Sequence, residues 1–341
     1  MSSERSPNLR WHTIRARFVL SLVLGVAVIV GLALYGDLRA LGSNLRHFRW
    51  AYIPFILGLT VINYALRFVK WEYYLRRLGI RGVTLLDSVA IFLSAFAMVL
   101  TPGKVGEVLK SYQLRQAYGV PMARSAPIVL AERLTDGVAM ALLSALGLTF
   151  YRQGWVIVAV TLLLMLGMAT VAQVRPLALR FIGWGERLPL VGRFAQELHH
   201  FYESARVLLE PVPLAVAVTL GTVSWAFEGV ALYLVLRGLG VPHSPQLVLQ
   251  SIFILSFATI VGVLVMMPGG LGGVEGTITG FLQFLVGLDR ARAVTGTLLI
   301  RMGTLWFGVT LGLLAIFWKR RWLVEASPPA AWASSAETTP K

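Results

Sequence analysis

The amino-acid sequence predicts an all-α polytopic membrane protein, with about six spanning helices plus two re-entrant helical hairpins in an inverted repeat. Three observations lead there. The 341-residue chain is 57% hydrophobic and only 14% charged, with a mean hydropathy of +0.72, where soluble domains carry roughly a quarter charged residues. Several apolar runs are long enough for a hydrocarbon core of about 30 Å at about 1.5 Å per residue. A Pro-Gly-rich break followed by a glutamate occurs twice, in otherwise apolar surroundings.

Residues 1–17 form a basic N-terminal segment with Arg5, Arg10, Arg15 and Arg17. Residues 18–35 are apolar or neutral throughout, a run long for a cleaved signal peptide, and read as the first span. Further spans are expected at about 51–69, 124–150, 154–174, 212–237 and 291–318. Stretches 85–101 and 246–267 end in Pro-Gly clusters, and the helix after the first carries Lys104, Glu107, Lys110 and Arg115, too many charges for a lipid-facing span. Residues 85–118 and 246–288 are therefore read as hairpins that enter and leave the membrane on one side. Such breaks are tolerated at depth only when buried in protein or lining a cavity.

The domain plan is one transmembrane domain over 18–322, with repeat one at about 51–150, repeat two at about 212–318 and a hydrophilic insert at about 175–211. A tail over 323–341, rich in Pro, Ala and Ser, is expected to be disordered. Within the insert, a helix at about 193–209 would place Phe194, Leu198, Phe201, Ala205 and Leu208 on one face, which suits either an interfacial helix or a solvated linker.

Lysine and arginine number 31 against 16 acidic residues, a net +15. Cytoplasmic loops carry such an excess, and with this plan the N-terminus, residues 70–83 (Lys70, Arg76, Arg77, Arg81), the turn from Arg115 to Arg124, residues 175–211 and Lys319 to Arg321 all fall inside. Both termini are thus expected in the cytoplasm, in a bacterial inner membrane. Two loops fit poorly: 36–50 with Arg39, Arg46 and Arg49, and 288–292 with Arg290 and Arg292. Topology and attraction to anionic lipid account for the charge, and no nucleic-acid partner is expected. With no cysteine, disulfides, thiolate metal sites and cysteine nucleophiles are excluded. The five histidines lack metal-ligand spacing, so neither metal nor cofactor is expected.

The two halves resemble each other. The run Leu75 to Ile80 matches Leu236 to Val241, Leu93-Ser94-Ala95-Phe96 matches Leu255-Ser256-Phe257, and Pro102 to Glu107 matches Pro268 to Glu275. Two arginines follow each glutamate at matching separations. Arg124 stands as far beyond Glu107 as Arg292 beyond Glu275, and Arg133 as far beyond Glu107 as Arg301 beyond Glu275. If hairpin one opens inward, the intervening spans make hairpin two open outward. Inverted repeats with broken helices are a recurrent plan of secondary transporters, with substrate held near the midplane.

Arg133 and Arg301 would then reach the middle of the membrane from opposite faces, where charges cost of order 2.5–3.5 kcal/mol each and pair or line a polar cavity. In the run AERLTDG, Glu132 and Asp136 stand at i and i+4, and Arg133 and Asp136 at i and i+3, which implies a buried network. Two readings are open. The arginines lock the hairpins through Asp136, Glu107 or Glu275, or they also meet an anionic head group, for which a bidentate guanidinium is suited.

The candidate site comprises Arg133, Arg301, Glu107, Glu275, Glu132, Asp136 and Lys104, with hairpin backbone from Pro102, Gly103, Gly106, Pro268, Gly269, Gly270, Gly272 and Gly273. Those glycines permit unusual dihedrals, and the helix N-termini after them offer N–H donors to an anion. Glu107 and Glu275 either cap these ends or take part in proton coupling or substrate contact. Glu228 is a further intramembrane acid. No nucleophile triad, phosphate-binding loop or dinucleotide fingerprint in its strand context is present, so no enzyme activity is expected.

The runs LTPGKVGEVLKSYQL, APIVLAERLTDG and MPGGLGGVEG resemble the lysylphosphatidylglycerol synthase transmembrane-region family over roughly residues 15–320. In bifunctional members this region acts as the flippase for aminoacylated phospholipids beside a soluble aminoacyl-transferase domain. No such domain is expected after the last span here, so the synthase activity is not carried over. The resemblance implies a lipid translocase for a phospholipid or a polyprenyl- or hopanoid-type lipid, with membrane lipids as partners. Alternatives are an accessory subunit beside a lipid- or glycan-modifying enzyme, and a proton-coupled transporter of a small anion.

Overall fold

A computed structural model describes residues 11–100, 107–148, 151–176, 179–180, 183, 195–265 and 268–319. Among them the regular structure is all helix, with no strand. Helices α1 (Trp11–Tyr35) and α2 (Leu38–His47) are followed by α3 (Ile53–Arg77), the hairpin pair α4 (Leu85–Ala97) and α5 (Leu109–Tyr118), then α6 (Met122–Ala145) and α7 (Trp155–Gln173). Helix α8 (Ala195–Leu208) leads into α9 (Pro211–Gly238), the second hairpin pair α10 (Pro245–Leu264) and α11 (Gly273–Phe284), and a last rod. That rod is α12 (Arg290–Arg301) and α13 (Phe307–Trp318), joined by one π-helical stretch, Met302–Trp306.

Five described helices are long and apolar enough to cross a membrane, and a sixth if α1 and α2, bent by 93°, are taken together. The protein is an all-α polytopic membrane protein. Leu163, Phe55 and Val69 point outward, as lipid-facing side chains must, and Tyr35, Trp50, Trp155 and Trp318 stand exposed at helix ends, where amphipathic rings favour the head-group level.

Helix ends are written locally, and the two halves use the same signals. Helices α3 and α9 both stop at a left-handed glycine, Gly79 (φ 65°) and Gly240 (φ 85°). In each, the next N–H reaches back along the chain, Ile80 to Leu75 and Val241 to Leu236, a Schellman closure that satisfies end carbonyls. Hydroxyl caps then start the hairpins: Thr84 Oγ1 accepts from the Asp87 N–H and Ser244 Oγ from the Leu247 N–H. Left-handed glycines also follow α5 and α11: Gly119 caps α5, Gly287 lies just beyond the Leu285 cap of α11, and Gly119 stands as far past Glu107 as Gly287 past Glu275. The matched runs at 75–80 and 236–241 are thus one structural device used twice.

The halves are antiparallel. The C-terminal end of α3 meets the start of α9 through Arg77 Nη2 and Glu210 Oε2, 2.7 Å apart, while the Arg49 N–H ahead of α3 donates to Gly238 O at the end of α9, 3.0 Å. Each hairpin closes at its own base. Tyr118 at the end of α5 donates to Asp87 at the start of α4, and Gln250 Nε2 near the start of α10 donates to Leu285 O just past α11, 3.1 Å. The bases therefore lie on opposite faces, while Met98–Leu100 of one tip touches Pro268–Gly270 of the other. The packing is exchanged between halves: α4 lies on α13, α10 lies on α6, and α3 lies along α9.

Several expected boundaries move. The second span runs from Trp50 to Arg77, not 51–69, which brings Lys70 out of the supposed loop and into the helix. The span expected at 124–150 is α6, ending at Ala145. Helix α1 begins at Trp11, within the segment read as N-terminal extension. The loop at 36–50 contains the amphipathic helix α2, whose Leu41 is buried and whose Arg39 and Arg46 are exposed, so its arginines sit on an interfacial element. Helix α8 buries Tyr202, Ala205 and Leu208, packs chiefly on α6, and leaves Gln196, Glu197, His199 and His200 exposed. Phe194, Pro102, Gly103, Lys104, Gly106 and the tail over 323–341 lie outside the described residues.

Candidate functional site

The described tips and the arginines meet at one cavity of about 340 Å³, whose lining includes Arg67, Arg133, Arg301, Glu107, Asp136 and Glu228. Arg133 and Arg301 stand equally far past the starts of their helices at Met122 and Arg290, about 16 Å by helical rise. The antiparallel halves bring both to the same depth.

The repeated glutamate-to-arginine spacing is an ion pair in both halves. Arg301 Nε lies 2.5 Å from Glu275 Oε1, and Arg133 Nη2 lies 3.1 Å from Glu107 Oε2. In hairpin two the pair is tied further to the tip, because Arg301 Nη2 donates to Gly269 O at 3.1 Å and the Gly272 N–H donates to Glu275 Oε2 at 2.7 Å. Gly269, Gly270 and Gly272 all have positive φ (62°, 69° and 83°), a bend that L side chains resist. Glu275 thus occupies the N-terminal N–H of α11 that an anion would otherwise take. Both arginines hold hairpins, as the locking reading requires, and both also face the cavity.

The AERLTDG run forms the expected network, with partners the sequence reading did not name. Glu132 Oε2 pairs with Lys110 Nζ at 2.5 Å, and Lys110 lies 4.6 Å from the centre of the Trp71 ring. Asp136 Oδ1 pairs with Lys70 Nζ at 2.5 Å, both side chains about 1% exposed. Asp136 Oδ2 lies 3.6 Å from Arg133 and 3.8 Å from Arg67. Glu132 and Asp136, one helical turn apart, therefore serve different cations. Only Asp136 belongs to the cavity.

Sequence reasoning missed Arg67, Lys70 and Trp225. The signal was present: Arg67 and Lys70 stand at i and i+3 inside a 28-residue apolar helix, where an uncompensated charge is costly. Arg67 lies between two rings, its Cζ 5.6 Å from the centre of Phe96 and 5.5 Å from that of Trp225.

The opposite wall is apolar. Leu164 and Met168 of α7, with Val263 and Leu264 of α10, line the cavity and are themselves about half exposed on the outer surface. The cavity thus joins charged side chains to an exposed apolar rim.

The comparisons agree with this architecture. A UPF0104 membrane protein of Methanothermobacter thermautotrophicus is 26% identical over 322 residues, covering 86% of this chain and 93% of the relative. The UPF0104 membrane protein PH1989 of Pyrococcus horikoshii is 22% identical over 340 residues, covering 90% and 99%. Glycosyltransferase AglD of Haloferax volcanii is 25% identical over 323 residues, covering 84% of this chain but only about half, 52%, of that protein. The family model described as the lysylphosphatidylglycerol synthase TM region matches residues 18–312. With that match spanning most of its length, the chain belongs to the lysylphosphatidylglycerol synthase transmembrane-region family.

Proposed function

We propose that the protein is a lipid translocase that moves a phospholipid or a polyprenyl- or hopanoid-type lipid between leaflets, its anionic or zwitterionic head group passing through the cavity while the chains stay in the bilayer. One observation carries this reading: a single cavity joins three arginines, at the tips of two oppositely based hairpins, to an exposed apolar rim on α7 and α10. A head group needs the first and an acyl chain the second. Transport by a small soluble anion carrier calls for a closed polar chamber, and the apolar rim weighs against it. No catalytic role is proposed. The location proposed is a bacterial cell membrane; the basic ends of α3, α5 and α13 support placing both termini in the cytoplasm.

The test is reconstitution. Vesicles carrying the purified protein and a fluorescent phospholipid should lose inner-leaflet fluorescence to dithionite faster than protein-free vesicles. Thr259→Trp, which fills the cavity without touching an ion pair, should abolish the gain, as should alanine at both Arg133 and Arg301. Rates equal to those of empty vesicles would sink the reading.

A second reading, an accessory subunit of glycolipid synthesis, is favoured by the match to half of a protein named a glycosyltransferase. Co-purification with such an enzyme, without transport by the chain alone, would select it.

A further inference from the structure

Of the three cavity arginines, Arg67 is the least engaged. Arg301 directs Nε to Glu275 and Nη2 to Gly269, and Arg133 is tied to Glu107. Arg67 has Asp136 Oδ2 as its nearest carboxylate oxygen, at 3.8 Å and too far for a hydrogen bond, while Oδ1 of the same carboxylate is held by Lys70 at 2.5 Å. Among the described residues the Arg67 guanidinium donates no hydrogen bond; it is held instead by the Phe96 and Trp225 rings. Aromatic rings position a guanidinium without using its N–H groups, which leaves five donors in a fixed fork.

Trp225 adds a second, independent observation. It lines the same cavity and is 8% exposed, and its Nε1–H is buried without a hydrogen-bond partner. An indole N–H can only donate, and leaving it unmet in a water-poor interior costs free energy that a ligand acceptor recovers. Arg133 Nε and Nη2 are likewise buried without a hydrogen bond, although Nη2 keeps its ion pair with Glu107. Glu107, Asp136 and Glu228 face the same space as the three arginines, so the formal charges of the lining cancel. The Arg133 nitrogens stand beside two acceptors, Glu107 Oε2 and Asp136 Oδ2, so what is left for a ligand is the Arg67 fork with the Trp225 indole beside it.

The geometry points to Arg67 and Trp225 as a seat for phosphoryl oxygens, with the guanidinium fork taking two and the indole N–H one. Arg133 and Arg301 shape the cavity by holding the hairpins, and Arg67 reads the cargo. This rests on the cavity being the cargo's path and adds which residues select and for what chemistry.

The test is native mass spectrometry of the full chain in detergent, titrated with dioctanoyl phosphatidic acid, with dioctanoylglycerol and with inorganic phosphate. The phosphatidic acid should bind about tenfold more tightly than the neutral lipid, the difference a charge-assisted pair supplies. Arg67→Gln should remove that advantage, Arg67→Lys should keep part of it, and Trp225→Phe should weaken binding a few-fold with every charge intact. Folding is checked by elution profile and thermal midpoint. If Arg67→Gln does not fold, Arg67→Lys and Trp225→Phe carry the test, and wild-type affinity in both overturns the seat, as does equal binding of the two lipids. Displacement by inorganic phosphate with the same dependence on Arg67 assigns the seat to a free phosphate ester; no displacement assigns it to a lipid head group. Unchanged binding in these variants with intact lipid movement sinks the seat alone. Arg67-dependent binding without lipid movement by the wild type sinks the translocase reading alone.

Discussion

Lys70 Nζ of α3 lies 2.5 Å from Asp136 Oδ1 of α6, with both side chains about 1% exposed. The pair is asymmetric in its surroundings, because Asp136 also has Arg133 and Arg67 within 4 Å, whereas among the described residues the only other partner of Lys70 is the Thr135 hydroxyl at 3.5 Å. Removing the carboxylate takes from Lys70 and Arg67 the one carboxylate that pairs with them among the described residues, while Arg133 keeps Glu107. Removing the lysine leaves two to meet the anion. Asp136→Asn should therefore destabilise by about 3–5 kcal/mol, the cost of an unpaired buried charge, and Lys70→Met by clearly less. Thermal unfolding midpoints of the purified variants in detergent check this; an equal or reversed order would contradict the network.

Hairpin two should respond to Glu275 in two separable ways. Its Oε1 meets Arg301, and its Oε2 accepts the Gly272 N–H at the start of α11. Glu275→Gln keeps an acceptor and loses the charge, while Glu275→Ala loses both. Amide exchange at Gly272 should quicken roughly fivefold in the alanine variant, as expected for an end cap of about 1 kcal/mol, and much less in the glutamine variant. Similar quickening in both would mean that Arg301, not the cap, orders the tip.

Packing of hairpin one rests on a glycine that the sequence reading passed over. A Cβ at Gly312 would stand 2.3 Å from the Ala97 N and 2.9 Å from the Leu93 O, both backbone atoms of α4 that have no rotamer to yield. Close approach of membrane helices through small residues is the usual means of association where lipid gives no hydrophobic drive. Gly312→Ala should cost about 1–3 kcal/mol and slow lipid movement, because α4 carries one tip of the cavity. Gly167→Ala, where nothing lies within 4 Å, should be neutral or slightly stabilising. Equal thermal midpoints for the two variants would refute this.

The sequence made legible what is periodic or local. Apolar runs marked the spans, the match of Leu75 to Ile80 with Leu236 to Val241 marked a repeated segment, and the repeated spacing from Glu107 to Arg133 and from Glu275 to Arg301 marked residues that the structure pairs in both halves. Contacts between distant helices were not legible. Nothing local to Lys110 distinguishes it from a solvated lysine until Glu132, on the following helix, is brought within 2.5 Å. Lys70 read as a loop charge because its helix continues a further two turns, through residues whose charge resembles that of a loop. Arg67 was visible as a charge in a span, but its ring partners come from α4 and α9, and only the exchange of packing between the halves assembles them.

The antiparallel arrangement of α3 and α9 makes a topological prediction that charge counting cannot make well, because basic residues line both ends. Arg39, Arg46, Arg49 and Arg290 stand near the start of α3, and Arg76, Arg77, Arg81 and Lys319 near its end. Helix α3 has 25 residues, about 37 Å by rise, more than the hydrocarbon core, so its two ends emerge on opposite faces. The native chain has no cysteine, so single substitutions can be labelled without background. Ser43→Cys in α2 and Arg81→Cys after α3, both at exposed positions, should react with a membrane-impermeant maleimide from opposite sides of sealed vesicles, Arg81→Cys from the cytoplasmic side. The same antiparallel order places His243→Cys, ahead of hairpin two, on the side of Ser43. Labelling of all three from one side would contradict the inverted order of the halves, and with it the meeting of two hairpin tips at one cavity.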